Sequence, residues 1–261
     1  MTRARVAVNV LKNMSELTCA NSPTSPDAPG APPVASAAAL RLRVGEPGDA
    51  EAMLAVKRRL RMQPDRAGEA SRGGFLLGST REQYEALLRR AHVDVLLDRG
   101  AVVGFITALP DAVLRESDLW RRRAQIAGED GPFDPAVLAA FEARRLGYID
   151  QLAVLPDPMY RPFGPVLAYR ALTRLLAAGC ELVFTTVVTR PLRNLATLPL
   201  LAAVGAIRLG AIEEVYPEVG PVTSDVYCVT AAALTDAGDA RRRARRASLE
   251  RWTARLTHAG A

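Results

Sequence analysis

The stretch Tyr148-Ile149-Asp150-Gln151-Leu152-Ala153-Val154-Leu155-Pro156, followed by Arg161-Pro162-Phe163-Gly164-Pro165-Val166-Leu167 and an apolar run to Gly179, decides the fold. Its first part, from Tyr148 to Leu155, is β-favouring and ends at a proline that cannot donate to a ladder. Its second part is a short loop feeding a helix over 164–178, which Gly179 stops. Glu181 to Thr189 is strand again, so strand, crossover helix and strand predict a parallel pair. A loop that feeds a helix start offers unpaired N–H groups and the positive end of the helix dipole, which together suit a pyrophosphate.

On the N-terminal side, Leu40-Arg41-Leu42-Arg43-Val44 alternates as a half-buried strand. Glu46-Pro47-Gly48-Asp49 then opens a helix with Ala52, Met53, Val56 and Leu60 on one face. Ser79-Thr80 starts a second helix carrying Tyr84, Leu87 and Leu88. Val93 to Leu97 and Ala101 to Leu109 read as two strands joined at Asp98-Arg99-Gly100, a hairpin signal. Residues 111–146 read as a helical insertion between the third and fourth strands, broken from Gly128 to Pro135. On the C-terminal side a weaker helix covers about 194–204, and Ala206 to Val215 and Ser224 to Thr230 read as closing strands. The pattern predicts a mixed α/β domain over 39–234, with helices flanking one sheet.

Residues 1–38 hold Ser22, Pro23, Thr24, Ser25, Pro26, Pro29, Gly30, Pro32 and Pro33 with few large apolar side chains, and are expected to be a disordered leader. The apolar segment after Arg3 and Arg5 is too short for a signal peptide. Residues 235–261 are expected to form a basic helix, with Arg241 to Arg246 followed by Leu249, Trp252 and Leu256. Two readings stand for that run: a nucleic-acid or acidic surface reached through the arginines, and a solvated helix docked by its apolar side chains, which is preferred. The chain of 261 residues has a formal charge of +6. Much of that excess lies in the basic tail, so the folded middle is close to neutral and the charge says little about its substrate.

Two histidines, His92 and His258, and three dispersed cysteines, Cys19, Cys180 and Cys228, argue against a His-based triad, a His-rich metal site and a disulfide framework. Unpaired cysteines suit a reducing compartment, so a cytoplasmic location is expected, with no metal. No apolar run is long enough for a transmembrane helix.

The order of elements, together with Tyr148–Pro156 and Arg161–Leu167, resembles the GNAT superfamily of acyl-CoA-dependent N-acyltransferases. That family's pattern is a strand ending in Val-x-Pro, a short loop with Arg/Gln-x-x-Gly-x-Gly/Ala, and a helix; Asn194, eleven residues before Gly205, repeats a further interval. The resemblance spans about residues 40–232. It implies a centrally splayed sheet, with acetyl-CoA or another acyl-CoA as co-substrate and a small-molecule or peptide amine as acceptor. It also implies backbone contacts from Leu152, Ala153 and Val154, a pyrophosphate grip from Arg161, Gly164 and Val166, and a pantetheine contact from Asn194. A catalytically silent domain of the same fold, binding a nucleotide, RNA or a protein, is the alternative.

This chain departs from the pattern at named positions. Val166 stands at the last Gly/Ala place, Pro162 and Pro165 lack N–H groups, and two extra residues separate Val154 from Arg161. Leu201 stands where the family commonly has a general-acid Tyr, and Pro199 falls in the same predicted helix. Asp150 is the candidate base, since strict alternation puts it on one strand face with Leu152 and Val154. As an alternative, Asp150 is a charge-pairing or substrate-orienting group. Tyr160, beside the loop, is the candidate replacement acid or else caps the loop. Tyr148 reads as core, Cys180 and Cys228 as buried thiols, and His92 as a surface or satisfied histidine. The insertion with Trp120, Arg121, Arg122, Arg123 and Phe133 is read either as an acceptor selector or as a cover for a sheet edge.

Overall fold

The computed structural model describes residues 40–60, 79–128, 131–133, 135–191, 193–216, 220–235 and 240–258. The leader expected over 1–38, with Cys19, lies outside the described residues. The strands are β1 (Leu40–Val44), β2 (His92–Asp98), β3 (Ala101–Leu109), β4 (Ala127–Gly128), β5 (Gly131–Pro132), β6 (Leu146–Val154), β7 (Leu182–Arg190), β8 (Ile207–Tyr216) and β9 (Gly220–Thr230). They form one sheet in the order β1-β2-β3-β6-β7-β9-β8-β4-β5. Among the described residues β6–β7 is the one parallel pair, and the others are antiparallel.

The helices are α1 (Ala50–Arg59), α2 (Arg81–Arg90), α3 (Asp111–Arg115), α4 (Asp118–Arg121), α5 (Pro135–Glu142), α6 (Gly164–Ala177), α7 (Leu198–Ala203), α8 (Ala231–Thr235) and α9 (Ala240–His258). α2 begins on a capping box: Thr80 accepts from the N–H of Gln83, whose side chain accepts from the N–H of Thr80. The β2–β3 hairpin turns through Arg99 and Gly100, both at positive φ, the combination whose twist matches two-residue hairpins. α6 crosses from β6 to β7 and buries Val166, Leu167, Ala171, Leu172 and Leu175 against the sheet. The expected mixed sheet, its splayed parallel pair and its flanking helices are all present.

The core lies between the sheet, α1, α2 and α6, and includes Leu40, Met53, Tyr84, Phe105, Ile106, Leu167 and Leu175. Burying each such large side chain contributes about 1.5–3 kcal/mol. One charged group shares this interior. Asp94 on β2 is 0% exposed and takes Arg170 at 2.8 Å on one oxygen and Arg174 at 2.8 Å on the other, which pins α6 to the sheet.

Two expectations need correction. The insertion is only partly helical: after α3 and α4, residues 127–128 and 131–132 pair as the short strands β4 and β5, which add to the sheet edge through Ala127 opposite Ala211. Gly210 makes that approach feasible, because a Cβ there would fall 2.2 Å from the Ala127 carbonyl oxygen. The helix expected over 194–204 begins only at Leu198, so Pro199 sits in its first turn, where a missing N–H costs nothing, and interrupts no helix.

α9 packs on α6 with Leu249 and Leu256 buried. Trp252 meets Phe163 edge to face at 5.6 Å, and Tyr169 donates to Glu250 at 2.9 Å. Within the arginine run, Arg245 donates to the Pro199 carbonyl and Arg246 to the Leu234 carbonyl, so both are turned into the protein.

Candidate active site

The site is built where β6 and β7 part. Their register runs from Leu146 opposite Leu182 to Ile149 opposite Thr185 and stops. Beyond that point β6 keeps β3 on one side as far as Val154, and β7 keeps β9 on one side as far as Arg190. The facing edges, 150–154 and 186–190, therefore have no strand between them and form a wedge. At its closed end Thr185 donates to the Ile149 carbonyl at 3.1 Å, and the hydroxyls of Tyr148 and Thr186 meet at 2.8 Å.

A bulge in β6 aims the side chains. Ile149 pairs with Ala108 and Gln151 with Thr107, so Asp150 is an extra residue with no partner in the register. Tyr148 lies opposite Leu109, Gln151 opposite Thr107 and Ala153 opposite Phe105, which sets these three on one face. The alternation that put Asp150 with Leu152 and Val154 is thereby overturned. Asp150 turns to the Thr107 face, where it accepts from the Thr107 hydroxyl at 3.2 Å, while Leu152 and Val154 face the start of α6 and lie closest to Gly164.

Around Asp150 lies a group of residues that sequence reasoning missed. The N–H of Gln151 donates to the Thr107 hydroxyl at 3.1 Å, Tyr84 donates to the Gln151 side-chain oxygen at 2.6 Å, and the Gln151 amide donates to Ser79 at 3.3 Å. The ammonium of the buried Lys57 lies 5.7 Å from the centre of the Tyr84 ring. Desolvation raises the pKa of Asp150 above the ordinary carboxylate value, against the lowering effects of the Thr107 and Gln151 hydrogen bonds and the Lys57 charge. A carboxylate raised in this way moves towards the range where a base works at neutral pH. A signal for Lys57 was present: with Ala50 and Met53 it falls on the buried face of α1.

The loop before α6 differs from the cradle expected of it. Residues 161–163 form a turn of 3₁₀ helix, and its N–H groups are already engaged. Tyr160 and Arg161 donate to the Asp157 carbonyl, Phe163 to that of Tyr160 and Gly164 to that of Arg161. With Pro162 and Pro165 lacking donors, the turn has few backbone groups left for a phosphate. Arg161 is exposed beside this turn. Val166 turns its side chain into the core at 2% exposure, so it does not crowd the wedge. An extended thioester arm thus fits the open strand edges, while a backbone-held pyrophosphate does not fit the turn.

Tyr160 is not brought to Asp150. Its hydroxyl donates to Asp98 at 2.7 Å, at the hairpin end of β2. That end is six residues along β3 from Thr107, roughly 20 Å at strand spacing. Asn194 stands beside the β7 arm of the wedge, with its N–H on the Val188 carbonyl. It is not a helix N-cap, because its side chain accepts from the N–H of Ala196, ahead of α7. Leu201 is buried and lines a small apolar cavity with Ala168, Leu172 and Val204, so no hydroxyl comes from that position. Cys228 is buried and its thiol is pushed up to about 12 by desolvation, which makes it a poor nucleophile. Among the described residues no helix is long and apolar enough to cross a membrane, and no cluster of His, Cys, Asp or Glu is arranged to hold a metal ion.

The bulged strand, the wedge and the crossover helix settle the architecture. The domain has a GNAT fold. No family profile and no curated protein matches the chain. Solved structures do match. A GNAT-family acetyltransferase from Streptococcus pneumoniae is 17% identical with a TM-score of 0.46, covering 73% of this chain and 99% of that one. An N-acetyltransferase from Staphylococcus aureus is 15% identical at 0.45, covering 73% and 98%. The ribosomal-protein-S18-alanine N-acetyltransferase from Escherichia coli is 13% identical at 0.47, covering 77% and 97%. Likenesses this distant carry no chemistry across, so the function is argued from the residues of the wedge.

Proposed function

We propose that the protein is an N-acyltransferase, moving an acyl group, most simply acetyl, from acyl-CoA to an amine by direct attack. The observation that carries this reading is the wedge with the Asp150 bulge at its closed end. Its unpaired strand edges suit the amide-rich pantetheine arm, which would add to the edge of β6 as a short strand does. Free N–H groups beside Leu152, Ala153 and Val154 can polarise the thioester carbonyl. Leu152 and Val154 line the donor's side, with Gly164 behind them, and Asn194 borders the opposite arm.

The thioester supplies an activated carbonyl carbon. The amine nitrogen bonds to that carbon, Asp150 takes the amine proton directly or through a water, and the carbon–sulfur bond breaks. The departing thiolate is protonated by solvent. Most of the rate acceleration then comes from holding the two reactants together and from backbone polarisation.

The second reading, a silent binding domain of the same fold, is favoured by one observation, the turn at 161–164 whose N–H groups are already engaged. Calorimetry with acetyl-CoA, followed by amine-dependent release of free thiol, separates the two. Binding with turnover supports transfer, and an absence of binding at millimolar concentration removes it.

A further inference from the structure

Between the insertion and the sheet lies a cleft with an almost wholly apolar lining, part of it open to solvent. Leu119, Trp120, Phe133 and Phe141 form its outer wall, with Phe184 and Ile212 on its sheet side. It is not slack in a loose loop. Trp120 is held between two guanidinium groups, Arg115 at 4.8 Å and Arg123 at 4.5 Å from the ring centre. Arg115 is bonded to Asp111 and Arg123 to Glu142, and Arg122 reaches across to Glu214 on β8 at 2.7 Å. A cover anchored this firmly, yet leaving an apolar space beneath it, forgoes the packing that interiors otherwise achieve.

The cleft has a polar inner end. Tyr148 and Thr186, whose hydroxyls meet where the wedge closes, are part of its lining. Tyr148 lies on the same face of β6 as Asp150, whereas Leu152 and Val154 face α6 on the other. A donor arm lying towards α6 and an acceptor lying towards Asp150 therefore come from opposite faces. The cleft opens on the Asp150 side of β6, through Tyr148. Glu142, the one carboxylate among the described lining residues, is taken by Arg123, so this wall offers no free anchor for a second ammonium group.

Resting on the acyltransferase reading, we propose that this cleft selects the acceptor, a monoamine with an apolar or aromatic body, its nitrogen at the wedge and its hydrocarbon under Trp120. Acetyl-CoA with hexylamine, 2-phenylethylamine and putrescine tests this, read as free thiol release. The apolar amines should exceed putrescine by at least about tenfold in kcat/KM. Leu209→Phe, which fills the cleft, should shift the optimum to shorter amines, and Leu209→Ala to longer ones. A role confined to stability would not move the optimum in opposite directions.

Binding is read separately in Trp252→Phe, which leaves Trp120 as the one tryptophan of the chain. Hexylamine should change its fluorescence, and Leu209→Phe should abolish the change. If turnover is absent but this response is present, the acyltransferase reading fails and the cleft stands. If the response is absent, or Leu209→Phe leaves it intact, the proposal is overturned. It is overturned too if the Leu209 variants change the preferred acyl chain, acetyl against octanoyl, and leave the amine preference unmoved.

Discussion

Thr107 donates to the carboxylate of Asp150 at 3.2 Å across the β3–β6 ladder, at the one place where β6 carries an unmatched residue. The bond favours the charged form, so it opposes the desolvation that raises the pKa of Asp150. Thr107→Val should raise that pKa further and move the acid limb of the pH–kcat/KM profile to higher pH. A profile that stays in place would remove Asp150 as the base.

Asp150→Asn should lower turnover and raise the melting temperature near neutral pH. The sign follows from linkage. A carboxyl whose folded pKa lies above its unfolded value binds its proton more tightly when folded, so its stabilising effect is complete below the unfolded pKa, about 3.9, and is lost as pH rises through the folded value. The variant's advantage over the parent should therefore be absent near pH 3.5 and grow upwards. Melting curves across pH 3.5–8 read this directly.

Arg161→Ala should raise the KM for acetyl-CoA about 10- to 100-fold, because the guanidinium stands in for a backbone cradle and a charge-assisted bond contributes about 1.5–3 kcal/mol. The KM for a pantetheine thioester without the ADP portion should not change. Equal losses for the two donors would place Arg161 outside the phosphate site.

Asp94→Ala should destabilise the fold by about 3–5 kcal/mol, since it leaves two guanidinium groups facing a buried gap between β2 and α6. Urea titration measures the loss.

Gly210→Ala should lift β4 from β8, since the new methyl would collide with the Ala127 carbonyl. Faster amide exchange at residues 127 and 211, with β6 and β7 unaffected, is the expected signature.

The elements that position the wedge were legible because each carries local chemistry. Asp98-Arg99-Gly100 makes a hairpin by backbone conformation alone, and Gly164 to Gly179 reads as a helix with an apolar face. The bulge was not legible, because one extra residue leaves local propensity unchanged while it reverses every later side chain. Its trace is the adjacent polar pair Asp150-Gln151 inside an otherwise apolar strand. The paired strands at 127–128 and 131–132 were hidden for another reason: two-residue strands have no periodicity, and only the distant Gly210 makes room for them. The partners of Asp150, namely Thr107 and Lys57, come from β3 and α1, and no spacing within β6 announces them.

The edge-to-face contact of Trp252 with Phe163 joins the tail of the chain to the turn that precedes α6. A ribosome that has released residues 40–232 has therefore delivered every strand of the sheet while Phe163 still lacks its backing. Proteolytic loss of α9 would strip that ring from Phe163 while leaving every residue of the wedge in the chain.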